Sequence, residues 1–307
     1  MHRIAAIDIG TNSILLTILR IEGGTIHTLA ERGRITRLGE GLNANGRLSV
    51  EPMRRSLQAL RDFLRECEQA GVDTILAVGT QVLREASNAN VFLQACEQMG
   101  LRMEVISGER EAYLSYLSVV KDPLFIGHSQ CVAVLDVGGG SVEISRGCEG
   151  DLLTTRSYPI GAVRLTEAFL QDDPPSTGQI QALQEAVLTQ LSNELPLKAG
   201  ERLVGVGGTF VNLASLHHRY TDFAPERVHG ATLTLQQMRS LAEELCSLPV
   251  AQRRSLPGIE PDRAPVLHAG ALIASSVMQR LQAEAITVSM RGLRWGLIYE
   301  YADSHRD

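Results

Sequence analysis

The stretch Asp8-Ile9-Gly10-Thr11-Asn12-Ser13 constrains the fold more than any other part of the chain. It lies between two apolar runs, Ile4-Ala5-Ala6-Ile7 and Ile14-Leu15-Leu16-Thr17-Ile18-Leu19. Both runs read as strands, so the polar residues fall at a tight hairpin turn. Gly10 is expected to let the chain turn with φ > 0. Successive backbone N–H groups of such a turn can converge on an anion. Asp8 closes a buried strand, where a lone carboxylate is costly unless it is paired or holds a metal.

The same grammar returns 128 positions later. Val132-Ala133-Val134-Leu135 leads into Asp136-Val137-Gly138-Gly139-Gly140-Ser141, and Val142-Glu143-Ile144-Ser145 follows. Each copy reads strand, Asp-x-Gly-x-x-Ser, strand. Identical internal spacing points to a duplicated domain. Two such hairpins facing each other across a cleft would hold a phosphate chain, with a divalent cation between two carboxylates. The plainer alternative is a pair of ordinary turns in which Asp caps the turn.

A chain of 307 residues suits two domains better than one core. Hydrophobic residues make up 44% and charged residues 21%, the balance of globular material. No apolar run approaches the roughly 20 residues of a membrane span, and no signal peptide is visible, so no membrane partner is expected. The five cysteines, Cys67, Cys96, Cys131, Cys148 and Cys246, form no C-x-x-C. They read as reduced core thiols of a cytoplasmic protein. Adjacent His217 and His218 suit a single metal poorly. The net charge of −6 argues against nucleic acid as a partner. A local basic groove could still come from Arg32, Arg34, Arg37, Arg54, Arg55, Arg84, Arg253, Arg254, Arg291 and Arg294, although each alone reads as a solvated arginine.

Between the two turns, a strand pair over about 25–36 and a glycine-rich loop precede a helix from about Pro52 to Gly71. Thr74–Val78 is a buried strand running into Gly79-Thr80, where Thr80 can cap a helix and Arg84 lies one turn on. A short strand at 102–106 ends in Ser107-Gly108-Glu109-Arg110-Glu111-Ala112. Ser107 reads as an N-cap, and Glu109 and Glu111 suit the first helical turn. Helical geometry separates those two acids by about 200°, so only one of them can face a site. A loop from Lys121 to Gln130 marks the domain boundary, giving an N-terminal domain over 1–125 and a C-terminal domain over 126–291. The closing helix, about 292–307, is expected to pack back on the first domain. Within the second, Gly207-Gly208-Thr209 makes a strand-to-helix corner, open to a nucleotide or phosphate or simply tightly packed. The helix over 264–281 reads as buried, with His268 as a core histidine.

Taken together, these blocks resemble the exopolyphosphatase/guanosine pentaphosphate phosphohydrolase (Ppx/GppA) family. The resemblance rests on Asp8–Ser13, Gly79-Thr80 with Arg84–Asn88, Ile106–Ala112, Asp136–Glu143, Gly207–Thr209 and Arg291-Gly292-Leu293-Arg294-Trp295-Gly296-Leu297. Six blocks in order cover nearly the whole chain. The resemblance implies an α/β protein of two ribonuclease-H-like (actin-like ATPase) domains flanking an interdomain cleft. It implies a hydrolase of phosphoanhydride bonds that uses Mg²⁺ or another divalent cation. Glu111 takes the place of the catalytic glutamate. Gly10, Thr11, Asn12, Ser13, Arg84, Gly138, Gly139, Gly140, Ser141, Gly207, Gly208 and Thr209 become phosphate- or substrate-binding residues, and Asp8, Asp136 and Glu143 metal ligands.

The expected reaction removes the terminal phosphate of inorganic polyphosphate. Removal of the 5′ γ-phosphate of guanosine pentaphosphate (pppGpp) is the alternative. A phosphate or nucleotide sensor without catalysis and a sugar kinase are the more distant ones. Two positions depart from the family pattern: Arg110 replaces the first of two acids, and Trp295 stands where an acid is usual. Longer members carry a further C-terminal helical and HD-type region, so this chain reads as a short two-domain form. Family members are commonly dimers, which leaves a homodimer open.

Overall fold

The computed structural model describes residues 2–125, 131–222 and 225–305. The chain divides into two compact units, Met1–Ser118 with Leu293–Asp307, and Val119–Gly292. Residues 126–130 of the expected boundary loop lie outside the described residues.

In the first unit the apolar runs form β1 (His2–Ile9) and β2 (Ser13–Glu22), paired antiparallel. The segment expected to be a strand pair is one long strand, β3 (Thr25–Ile35), antiparallel to β2 with an irregularity at Ile18/Leu19. The glycine-rich loop contains a single helical turn, α1 (Leu42–Asn45). The amphipathic α2 (Val50–Gln69) buries Ser56, Ala59, Leu60, Phe63 and Cys67, spaced so that they share one face. The parallel strand β4 (Thr74–Gly79) leads to α3 (Gln81–Glu85) and α4 (Ala89–Gln98). Strand β5 shrinks to Glu104–Val105, and α5 spans Gly108–Val120. The sheet order is β3-β2-β1-β4-β5, over a core that includes Ile7, Ile14, Leu16, Phe63 and Phe92.

The second unit repeats that plan. Strands β6 (Cys131–Val137), β7 (Val142–Cys148) and β8 (Asp151–Tyr158) form an antiparallel meander. Helices α6 (Ala162–Phe169) and α7 (Thr177–Gln190) follow, the latter opened by a Ser176–Gln179 capping box. Strand β9 (Arg202–Val206) runs parallel to β6 and turns into α8 (Gly208–His217). Strand β10 (Thr232–Thr234) precedes α9 (Leu235–Ser247), which Thr234 caps. The four-residue α10 (Val250–Arg253), the long buried α11 (Ala264–Arg280) and strand β11 (Ala285–Ser289) complete the unit. The order β10-β11-β9-β6-β7-β8 contains the first sheet's pattern with one added edge strand. The last helix, α12 (Leu293–Ser304), belongs to the first unit.

Two sequence expectations need correction. Cys131 and Cys148 form a disulfide; they are directly opposed in the β6–β7 register, a pairing that their scattered spacing conceals. Cys67, Cys96 and Cys246 are free and buried, and desolvation pushes their thiols up to about 11, 12 and 11. Thr80 occupies an N-cap position, but its hydroxyl donates to the Ile9 carbonyl at 3.4 Å and caps nothing. No helix among the described residues is long and apolar enough to cross a membrane.

The tightest backbone approach in the second unit is at Gly161, immediately before α6. A Cβ there would fall on Gly139 O and on the Gly139 and Gly140 carbonyl carbons, and backbone cannot yield as a side chain can. Gly161→Ala is therefore expected to destabilise the protein by about 1–3 kcal/mol. Gly178→Ala, on α7 with nothing within 4 Å of the added methyl, should stabilise by about 0.4–1 kcal/mol. Urea unfolding of both variants checks the pair. Equal effects would contradict the packing argument.

Candidate active site

The two Asp-x-Gly-x-x-Ser turns are built alike. Gly10 N–H donates to Ser13 O at 3.0 Å, and Gly138 N–H donates to Ser141 O at 3.0 Å. Gly10 does not have the positive φ expected of it, and its counterpart Gly138 does not have a positive φ either. Close approach explains both: a Cβ would lie 3.2 Å from Ser13 O in one turn and 3.1 Å from Ser141 O in the other. The amides of Gly10 and Gly138 are thus consumed within their turns and drop out of the anion-binding set.

Where the turn carbonyls go decides where the remaining amides point. Thr11 O accepts from Gly39 N at 2.9 Å, and Asn12 O accepts from Thr36 N at 3.1 Å and Arg37 N at 2.9 Å. In the second unit, Gly138 O accepts from Ala162 N at 2.9 Å, and Gly139 O from Val163 N at 2.8 Å and Arg164 N at 3.1 Å. Gly140 O takes Arg164 Nε at 3.0 Å. A trans peptide places its C=O and N–H on opposite sides. The N–H groups of Asn12 and Ser13, and those of Gly139, Gly140 and Ser141, therefore point away from the anchored side. That is the arrangement of an anion nest.

Side chains of the first turn add to the picture. Thr11 is not free to donate to a substrate, because its hydroxyl donates to Gln81 Oε1 at 2.9 Å. Asn12 is 5% exposed, yet its Oδ1 and Nδ2 are buried without partners among the described residues. Asp8 Oδ1 is likewise buried and unpartnered. Burial pushes the Asp8 carboxyl up to about 6, against the pull of the Arg294 charge. Arg294, at the head of α12, is itself buried, and it donates to Leu16 O at 2.8 Å and Thr17 Oγ1 at 2.6 Å. Desolvation holds its guanidinium below the usual range.

In the second unit Asp136 and Glu143 are directly opposed across β6–β7. Ser157 Oγ donates to Glu143 Oε1 at 2.7 Å. The position opposite Asp8 is Leu15, so the two half-sites differ in their acids. Among the described residues no three acidic, histidine or cysteine side chains converge on one point. Asp8 Oδ1 still suits a hard, oxygen-seeking cation that keeps most of its waters. The Gly207-Gly208-Thr209 corner is accounted for by packing. Gly207 has φ 88° with Asp136 Oδ1 2.8 Å from the place of a Cβ, and Gly208 lies under the Arg263 guanidinium. Thr209 Oγ1 donates to Val137 O at 2.8 Å.

Helix α5 carries the acids of the first unit. Glu109 is exposed at the N-terminus, where its own backbone N–H and then Ser107 hold its carboxyl low. Ser107 caps the helix by accepting from Arg110 N at 3.2 Å. The Glu111 side chain is only 12% exposed, and Arg84 Nη1 donates to its Oε2 at 2.9 Å and to Ile106 O at 2.7 Å. Arg110 turns away to Glu300 on α12. Trp295 is buried and donates to Glu31 Oε1 at 3.0 Å. The arginines proposed for a groove are largely engaged: Arg32 with Glu66, Arg54 with Glu51, Arg55 with Glu40, Arg253 with Asp173 and Arg291 with Asp122. The partners Gln81, Glu300 and Glu31 carry no motif and were invisible in the sequence. The burial of Arg294 beside Asp8 was signalled only by its closing block.

Comparison with known proteins places this architecture. The model of the Ppx/GppA phosphatase family matches residues 17–305. Exopolyphosphatase 2 of Mycobacterium tuberculosis is 31% identical over 319 residues, covering 98% of this chain and 99% of that protein. Exopolyphosphatase 1 of Mycobacterium leprae is 30% identical over 311 residues, covering 99% and 91%. Among solved structures, a Ppx/GppA family member of Aquifex aeolicus superposes with TM-score 0.82 at 33% identity, over 100% of this chain and 99% of that one. An exopolyphosphatase of Cytophaga hutchinsonii gives TM-score 0.89 at 28% identity, over 99% of each. The fold is the two-domain actin-like fold of this class, and these relatives make the protein a hydrolase acting on phosphoanhydride bonds. The chain belongs to the Ppx/GppA phosphatase family.

Asp8 sets a pH-dependent test. Its native pKa of about 6 exceeds the ordinary carboxyl value of 3.8, so the native state keeps a proton that the unfolded state releases between them. Stability is fully present below the lower value and falls as pH rises through the upper one, by roughly 1–3 kcal/mol. In chelator, Asp8→Asn is expected to raise the melting temperature relative to the parent at about pH 7.5, and the gap should close near pH 4. A gap of the same size at both pH values would contradict the assignment.

Proposed function

We propose that the protein is an exopolyphosphatase that hydrolyses the terminal phosphoanhydride of inorganic polyphosphate and releases orthophosphate. The observation that carries this reading is the Asp8–Ser13 turn. It combines outward amides with a buried carboxylate oxygen and a buried amide side chain that lack partners. Such groups cost several kcal/mol unless a ligand satisfies them. The full-length likeness to proteins named exopolyphosphatases favours polyphosphate over pppGpp as the substrate.

In this reading, the amides of Asn12 and Ser13 and those of Gly139, Gly140 and Ser141 bind oxygens of the substrate phosphates. Asn12 Nδ2 adds a further donor. Asp8, Asp136 and Glu143 would hold Mg²⁺, which supplies positive charge against the charge that builds on the transferring phosphoryl group. Glu111 orients the attacking water and accepts its proton as the water oxygen bonds to the terminal phosphorus. The bridging P–O bond then breaks, and its electron pair stays with the shortened chain. Arg84 is already bonded to the Glu111 carboxylate, so it holds that base in place. When phosphate arrives, its remaining N–H groups can turn to it.

Glu111→Gln is expected to lower phosphate release from long-chain polyphosphate by about 10²–10⁴-fold while substrate still binds. Unimpaired turnover would remove Glu111 from the mechanism. Polyphosphate and pppGpp assayed side by side, with Mg²⁺ present and absent, test the substrate. Release from pppGpp alone would replace the polyphosphate reading. Tight binding of either without release would favour a sensor.

A further inference from the structure

The residue beside Glu111 departs from the family pattern, and the structure gives that departure a role. Arg110 and Glu111 are neighbours on α5, so their side chains leave the helix about 100° apart. While Glu111 meets Arg84, Arg110 reaches α12. Its Nη1 donates to Glu300 Oε1 at 2.7 Å and its Nη2 to Glu300 Oε2, a two-pronged ion pair. The guanidinium also lies 5.5 Å from the centre of the Tyr113 ring. Arg110 is therefore committed within the first unit and is not a substrate contact.

One turn further along α5 lies a second fixed point. Gly296 of α12 is seated on the backbone of Leu114, and a Cβ on Gly296 would fall on the Leu114 carbonyl. Residues 110 and 114 are four apart on α5, as 296 and 300 are on α12, and the pairing 110–300 with 114–296 runs antiparallel. Residues four apart share a helix face. A single contact of this kind would let one helix pivot on the other. Two contacts one turn apart set both slide and roll. Helix α12 is anchored in turn at its head, where Arg294 binds Leu16 O and Thr17 Oγ1 beside Asp8, and Trp295 binds Glu31. One helix thus ties the turn bearing Asp8 to the helix bearing Glu111.

We propose that Arg110 and Glu300 are positioning residues that set the place of Glu111 relative to the Asp8 turn. The inference rests on the reading of Glu111 as the group that activates water. The pair is about one-third exposed, so its effect on stability is small. Its effect on geometry is not small, because a misplacement of about 1 Å can cost about 10²-fold in rate.

The test measures polyphosphate hydrolysis and melting temperature for Arg110→Ala, Glu300→Gln, Arg110→Lys and the exchanged pair Arg110→Glu/Glu300→Arg. The Ala and Gln variants are expected to lower kcat about 3–30-fold with KM within about twofold. Arg110→Lys, which keeps the charge but loses the fork, should fall between them and the parent. The exchanged pair should recover most of the lost kcat. Single variants with unchanged kcat would overturn the inference, and so would a loss that the exchange does not recover. Glu111→Gln measured alongside separates the two readings. If Glu111→Gln is inactive and Arg110→Ala is normal, only the positioning role fails. If Glu111→Gln is fully active, the reading of Glu111 fails.

Discussion

The site depends on a hydrogen-bonding constraint: carbonyls that are anchored on one side leave their amides on the other. In the second unit the first turn of α6 takes Gly138 O and Gly139 O, and the Arg164 side chain takes Gly140 O. In the first unit the segment from Thr36 to Gly39 does the same for Thr11 and Asn12. Three turns of chemistry follow from this. The helix α6 spends its own N-terminal donors on the glycine turn, so it is a buttress and not itself an anion site. The glycines at 138 and 161 stand where one stretch of backbone closely approaches another. In each turn the amides that remain are held on the side opposite the anchored carbonyls.

Much of this was legible in the sequence, and the reason is physical. Turns whose function lies in the backbone need small residues at fixed spacing, and small residues at fixed spacing are what a sequence displays. Hence the duplication, the two strands around each turn and the placing of Glu111 in the first turn of α5 could all be read directly. The reason for Gly10 could not, since a close contact with Ser13 O and a positive φ both select glycine. The disulfide between Cys131 and Cys148 was hidden because it depends on strand register, which spacing alone does not fix. The roles of Gln81 and Glu300 were hidden for a similar reason: each acts through one long-range contact, and neither belongs to a local pattern.

The arginines show the opposite case. Counted along the sequence they suggest a basic groove, but most of them are matched to acids within their own unit. Two of them matter to the site through what they hold. Arg84 holds Glu111, and the buried Arg294 opposes the rise in the Asp8 pKa. On the proposed reading, the charge of these arginines serves mainly to place groups, and most contacts to the phosphate oxygens would come from backbone dipoles, which act at close range and are screened little by salt.

Backbone amide resonances test that division most directly. With ¹⁵N-glycine labelling and Glu111→Gln to stop turnover, polyphosphate with Mg²⁺ is expected to shift the Gly139 and Gly140 amides strongly. The Gly10 and Gly138 amides, already bonded to Ser13 O and Ser141 O, should move far less. Unmoved Gly139 and Gly140 resonances under saturating polyphosphate would contradict the account.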